Sequence, residues 1–144
     1  MSTWSRADQT YPPTGHWYGK PIDAMETEVR AGYDKAAAAS AIVKGVIPVG
    51  QAWGRAMRTG VADLNPYDGI DAGKVNLWSS DNYHASIYGC YLEALTIFGS
   101  ITGRDPRSLG PNESAAADLG IAPAQAGALQ RIAFDQLSAS GAMH

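Results

Sequence analysis

The residues of this chain best suited to chemistry are Asp81 and His84, an acid and an imidazole three positions apart in the polar stretch Ser79-Ser80-Asp81-Asn82-Tyr83-His84. A carboxylate that holds one ring nitrogen of a histidine leaves the other free to take a proton from a nucleophile, which is general-base chemistry. The same spacing has a plainer use. Asp81 can serve as a helix N-cap, its side chain accepting backbone N–H groups where the next apolar run begins, for about 1 kcal/mol. The two uses are compatible. A metal held by Asp81 and His84 alone would have only two ligands, too few for a zinc site.

A nucleophile is harder to find. Ser79, Ser80 and Ser86 are the nearest hydroxyls, but all belong to the same stretch, and none sits on a strand-end glycine turn beside backbone donors. Cys90 lies six positions past His84, about 240° round a continuous helix, and reads as a small buried residue facing away from the imidazole. Gly99-Ser100-Ile101-Thr102-Gly103 places its serine one position early for Gly-x-Ser-x-Gly and follows a helix instead of a strand. The loop beginning at Asp63 has Asp68 where an EF-hand needs glycine and Lys74 where it needs glutamate. It reads as an ordinary polar turn, with a cation between Asp68 and Asp71 as the alternative.

With their flanks, these residues form a longer pattern. Asp81-x-x-His84 is followed by Ala85-Ser86, Gly89 and Tyr91-Leu92, and one helix length later by Ile101-Thr102-Gly103-Arg104-Asp105-Pro106. This resembles the C-terminal signature of SGNH (GDSL-type) serine hydrolases. Thr3-Trp4-Ser5-Arg6, Ile47-Pro48-Val49-Gly50 and Ala52-Trp53 are similar to the segment preceding this turn in one bacterial branch of that family, so the resemblance spans nearly the whole chain. It implies an α/β fold, the C-terminal part of a three-layer α/β/α domain, helix-dominated with few parallel strands in this chain. It also implies acyl transfer to serine with Asp81 and His84 as the acid and base, a small-molecule or carbohydrate ester as substrate, and no metal or organic cofactor. The family's Gly-Asp-Ser does not occur here, nor do its oxyanion glycine and Gly-x-Asn-Asp. The serine is therefore expected from a complementary N-terminal hydrolase segment, and the chain by itself should not turn over esters. The rival reading is a non-catalytic helical interaction module or a degenerate hydrolase remnant.

The elements that must position the pair are legible in the periodicity. Residues 1–21, rich in Pro, Gly and aromatics, read as a loop in which His16, Trp17 and Tyr18 either line a substrate entrance or pin the loop to the body. A helix is expected over 22–42, with Met25, Val29 and Tyr33 on one face and Gly32 marking a close backbone approach. Lys44-Gly45-Val46-Ile47-Pro48-Val49-Gly50 reads as a buried parallel strand, and since one strand makes no sheet, further strands would come from another segment or chain. Helices follow over 51–59, with Trp53 and Met57 on one face, and from Ile87 to Ile101, with Ile87, Tyr91, Leu95 and Phe98 as a core stripe. A short turn or single-turn helix is expected at 105–110 and a small helix at 115–119 closed by Gly120, then a last helix from Pro123 with Ala126, Leu129, Ile132 or Ala133, and Leu137 inward, and a fraying tail at 138–144.

A chain of 144 residues suits a single, here partial, domain. Its formal charge of −3, with 14 acids and 11 bases interspersed, carries no electrostatic footprint for nucleic acid. No apolar run approaches the roughly 18 residues of a membrane span and the first residues lack a signal-peptide core, so no membrane partner is expected and the compartment stays open. The single Cys90 permits no internal disulfide.

Overall fold

Prolines and small polar caps set the helix starts. The computed structural model describes residues 1–142, ordered as α1 (Ala7–Thr10), α2 (Ile22–Ala38), α3 (Val49–Arg58), α4 (Ile87–Thr102), a 3-10 turn (Pro106–Leu109), α5 (Ser114–Asp118) and α6 (Pro123–Ala139). Pro21 precedes α2 and Pro123 opens α6, where a missing N–H costs nothing. The Ser86 hydroxyl accepts the Tyr88 and Gly89 amides at the start of α4. Gly103, at φ 68°, closes that helix in the left-handed conformation that glycine adopts freely.

Helices α3, α4 and α6 pack on one another around Trp53, Leu92, Leu129 and Leu137, all fully buried. Ala126, Leu129, Ile132, Ala133 and Leu137 form the inward face of α6 as their spacing predicts. Gln130 is buried with them, its Nε2 donating to the Tyr91 hydroxyl (2.9 Å) and the Gly110 carbonyl (2.8 Å), so both amide protons enter the core bonded.

No sheet forms among the described residues; strand-like pairing is confined to two isolated bridges, Ala62 with Val75 and Trp78 with Ala85. This overturns the expected α/β fold and its three-layer α/β/α arrangement: the chain is helical. The reason is visible at residues 44–50. Pro48 has no N–H to give, Val49 and Gly50 already belong to α3, and among the described residues the stretch makes long-range backbone hydrogen bonds to Ser2 alone. Ser2 N donates to the Ile47 carbonyl (2.9 Å) and Gly50 N to the Ser2 carbonyl (3.3 Å), after which the ladder stops.

Three further expectations change. In α4 the inward face is Gly89, Leu92, Thr96 and Gly99 with Tyr91 and Leu95, while Ile87 is exposed and Phe98 half-buried. Glycine decides this rotation: a Cβ on Gly89 would fall 2.3 Å from the Leu77 carbonyl oxygen, and one on Gly99 2.3 Å from Leu137. In α2 only Ile22 and Met25 are buried, and Gly32 faces open space instead of another backbone. Residues 1–21 include the helical turn α1, and α6 runs through Ala139 into the stretch expected to fray. Met143 and His144 of that tail lie outside the described residues.

Candidate acid–base site

The stretch 79–84 folds as a turn pinned at its base. Ser79 N donates to the His84 carbonyl and Ser86 N to the Leu77 carbonyl, each at 2.8 Å, around the Trp78–Ala85 bridge. Asn82 N donates to the Ser79 carbonyl at 3.0 Å, and Asn82 takes φ 56°, a left-handed conformation that asparagine tolerates better than most residues. This chain reversal, not a helix, brings Asp81 and His84 together.

Asp81 is bonded through both carboxylate oxygens. Oδ2 meets His84 Nδ1 at 2.5 Å, while Oδ1 accepts the Ser79 hydroxyl (2.7 Å) and the amides of His84 (2.9 Å) and Tyr83 (3.0 Å). The bond from His84, then the Ser79 hydroxyl and the two amides, hold the Asp81 carboxyl far below the usual carboxylate range. The helix N-cap reading of Asp81 is overturned, because Asp81 accepts the backbone donors of its own turn and the cap of α4 is Ser86; the expected closeness of Asp81 to one ring nitrogen of His84 is present. An ionised Asp81 on Nδ1 fixes the proton there when the ring is neutral and leaves Nε2 as the acceptor. Nε2 has no hydrogen-bond partner among the described residues, and the His84 side chain is 69% exposed.

The N-terminal segment clamps this turn from outside. Trp4 Nε1 donates to the Tyr83 carbonyl at 3.0 Å and Asp8 N to the Asn82 carbonyl at 3.1 Å. The Arg6 guanidinium, ion-paired with Asp8 at 2.6 Å, lies 3.9 Å over the Tyr83 ring, whose centroid is 4.4 Å from that of His84. Trp4 also stacks on Trp53 at 4.7 Å, Trp53 meets Trp78 edge-on at 5.6 Å, and Trp78 Nε1 donates to the Ser5 carbonyl at 2.9 Å. Aromatic pairs of this kind contribute about 0.5–1.5 kcal/mol each beyond their burial. Trp4, Trp53 and Trp78 therefore make a packed aromatic layer that is joined to the turn through the Trp4–Tyr83 bond, and the stretches around Thr3-Trp4-Ser5-Arg6, Val49-Gly50 and Trp53 converge on it. Gly50 lets them meet, since a Cβ there would lie 2.1 Å from the Thr3 carbonyl oxygen.

Other candidates are committed elsewhere. Ser79 serves Asp81, and Ser86 donates to the Asn76 carbonyl at 2.6 Å while capping α4. Cys90 is exposed, not buried, because α4 begins only at Ile87 and the helical angle from His84 does not apply. Trp17 N bonds the Gln9 carbonyl, the Trp17 ring takes Lys20 on its face, and His16 sits edge-on to it at 6.1 Å; these contacts tie the loop to α1 and to itself. Asp71 pairs with Lys74 at 2.6 Å and Asp68 accepts the Asn65 amide, while the buried Asp63 binds the amides of Asn65 and Asp71 and organises the loop. Among the described residues no three His, Cys, Asp or Glu side chains group to hold a metal ion, and no helix is long and apolar enough to cross a membrane.

Sequence reasoning missed the roles of Trp4, Ser79, Tyr83 and Ser86 in holding the pair. Only Ser86 had a local signal, a hydroxyl directly before a helical run. Compared with protein-family models, curated proteins and solved structures, the chain finds no match.

Proposed function

We propose that this chain supplies the acid–base half of a serine acyl hydrolase. The observation that carries the reading is the His84 ring, held at Nδ1 by a strongly acidic Asp81 and open at Nε2. In this role Nε2 takes the proton of a serine hydroxyl as its oxygen bonds to the ester carbonyl carbon. It then returns that proton to the departing alkoxide; water repeats the cycle on the acyl-serine. Asp81 steadies the ring and the imidazolium that forms. The serine and the oxyanion donors come from a complementary N-terminal hydrolase segment, and the substrate is a small-molecule or carbohydrate ester. No metal or organic cofactor enters.

The test is p-nitrophenyl acetate hydrolysis by the chain alone and mixed with a Gly-Asp-Ser-bearing N-terminal half of an SGNH hydrolase. Expected is no turnover alone and serine-dependent turnover in the mixture, abolished by His84→Ala. Turnover that survives His84→Ala would refute the role. The rival, a helical interaction module without catalysis, is favoured by one observation, the open setting of the pair on a helix-dominated body. It gains the field if the mixture is inert.

A further inference from the structure

The bond to Asp81 leaves the aim of the imidazole half-determined. A ring held at Nδ1 alone can still rock about the line of that hydrogen bond, and the largely exposed His84 side chain has little packing to stop it. The second contact is the Tyr83 ring, whose centroid lies 4.4 Å from that of His84 with the two planes tilted by 43°. Aromatic rings at this separation touch. A surface against the imidazole opposes the rocking that the hydrogen bond permits, provided that the surface is itself fixed. Tyr83 is fixed at three points: its amide donates to Asp81 Oδ1 (3.0 Å), its carbonyl accepts from Trp4 Nε1 (3.0 Å), and its ring carries the Arg6 guanidinium 3.9 Å from the centroid. Arg6 is gripped in turn by Asp8, through Nε to Oδ1 (3.0 Å) and Nη2 to Oδ2 (2.6 Å), a two-point pairing that sets the direction of the guanidinium as well as its place. The Asp8 carboxylate also accepts the Gln9 side-chain amide at 3.0 Å, and the Asp8 main-chain N–H bonds the Asn82 carbonyl at 3.1 Å. The contacts Asp8–Arg6–Tyr83–His84 thus start and finish on the same turn, as a closed ring.

We propose that Tyr83, locked by Arg6, is the positioning residue that sets the plane of the His84 imidazole and with it the direction in which Nε2 presents its lone pair. The ring of Tyr83 carries this role and its hydroxyl does not, because the hydrogen bonds of Tyr83 among the described residues run through its main chain. A general base must meet its proton within hydrogen-bond reach, and a misplacement of about 1 Å can cost about a hundredfold in rate. Asp81 and Tyr83 therefore divide the work: the carboxylate fixes which nitrogen carries the proton, and the aromatic ring fixes where the other nitrogen points. That Nε2 points at a serine rests on the acyl-hydrolase reading. The restraint on the ring does not, and it is measured in the chain alone.

The experiment compares the intact chain with Tyr83→Phe, Tyr83→Leu and Arg6→Gln by ¹H–¹³C NMR of the His84 ring, with side-chain couplings reporting its rotamer. Expected in the parent and in Tyr83→Phe is a single His84 rotamer whose ring protons are moved upfield by the neighbouring aromatic ring. Tyr83→Leu should average the rotamer and abolish the upfield displacement, and Arg6→Gln, which keeps the tyrosine but unlocks it, should reduce both. In the mixture with a Gly-Asp-Ser-bearing half of an SGNH hydrolase, Tyr83→Leu should lower kcat for p-nitrophenyl acetate about tenfold or more at unchanged KM, and Tyr83→Phe should restore it. An averaged rotamer in Tyr83→Leu together with an inert parental mixture keeps the positioning role and removes the catalytic one. His84 spectra indifferent to Tyr83→Leu or to Arg6→Gln, a Tyr83→Phe protein as disordered at His84 as Tyr83→Leu, or a parental kcat in Tyr83→Leu overturns the proposal.

Discussion

Replacing Gly89 with alanine tests whether the turn is held by the packing described. An alanine Cβ at Gly89 would stand 2.3 Å from the Leu77 carbonyl oxygen and 2.5 and 2.8 Å from two carbons of the Trp53 ring. Neither neighbour can yield cheaply. Leu77 and Trp53 are both fully buried, and the Leu77 carbonyl already accepts the Ser86 amide that closes the turn. Overpacking of this severity belongs at the upper end of the usual cost, about 2–3 kcal/mol. Alanine returns about 1 kcal/mol of helix propensity, leaving a net loss of about 1–2 kcal/mol. With a urea slope near 2 kcal/mol/M, the midpoint of unfolding followed by tryptophan fluorescence should fall by about 0.5–1 M. Gly32→Ala and Gly127→Ala provide the opposite sign in the same assay. No atom lies within 4 Å of a Cβ at Gly32, and only Pro111 Cβ, at 3.6 Å, near one at Gly127. Both should gain up to about 1 kcal/mol from propensity alone. A Gly89→Ala protein as stable as these two would refute the contact between α4, Leu77 and Trp53, and with it the aromatic layer joined to the turn.

Further outcomes follow from the same geometry. Ser86→Ala removes the acceptor of two α4 amides and should cost about 1–2 kcal/mol in urea unfolding, whereas Ser80→Ala should lie within about 0.5 kcal/mol of the parent. Trp4→Phe keeps the stack on Trp53 but loses the bond to the Tyr83 carbonyl; about 1 kcal/mol of stability should go, and amide exchange at residues 79–84 should quicken. Because Asp81 has a depressed folded-state pKa, its contribution is complete above the unfolded carboxylate value of about 3.9 and disappears as pH falls through the folded value. The Tyr83 and His84 amide resonances, titrated downward, should therefore hold their positions past the ordinary aspartate midpoint, and an ordinary midpoint would contradict the four bonds assigned to Asp81.

How much of this was readable in advance differs by level. The helices were legible because their signals are local: Pro21, Pro123 and Gly103 mark ends, and the α6 stripe survives unchanged in the core. A strand does not form at residues 44–50 because a continuous apolar run does not reveal whether a pairing partner exists, and among the described residues only Ser2 pairs with it. The inward face of α4 was misjudged because counting large apolar side chains ignores glycine, and Gly89 and Gly99 are where the helix comes closest to its neighbours. The closeness of Asp81 and His84 follows from their three-residue spacing, which taken alone favours a cap. The residues that hold them, Trp4 79 positions from Tyr83 and Ser5 73 from Trp78, are brought in by tertiary contacts that no local pattern encodes.

The most direct measurement of the central claim is the ¹⁵N spectrum of the His84 ring in the intact chain, read for the neutral form in the parent and in Asp81→Asn. The proton is expected on Nδ1, with a strongly deshielded hydrogen-bonded resonance that disappears in Asp81→Asn, and Nε2 should carry the shift of an unprotonated acceptor. A neutral ring protonated at Nε2, or a spectrum indifferent to Asp81→Asn, would contradict it.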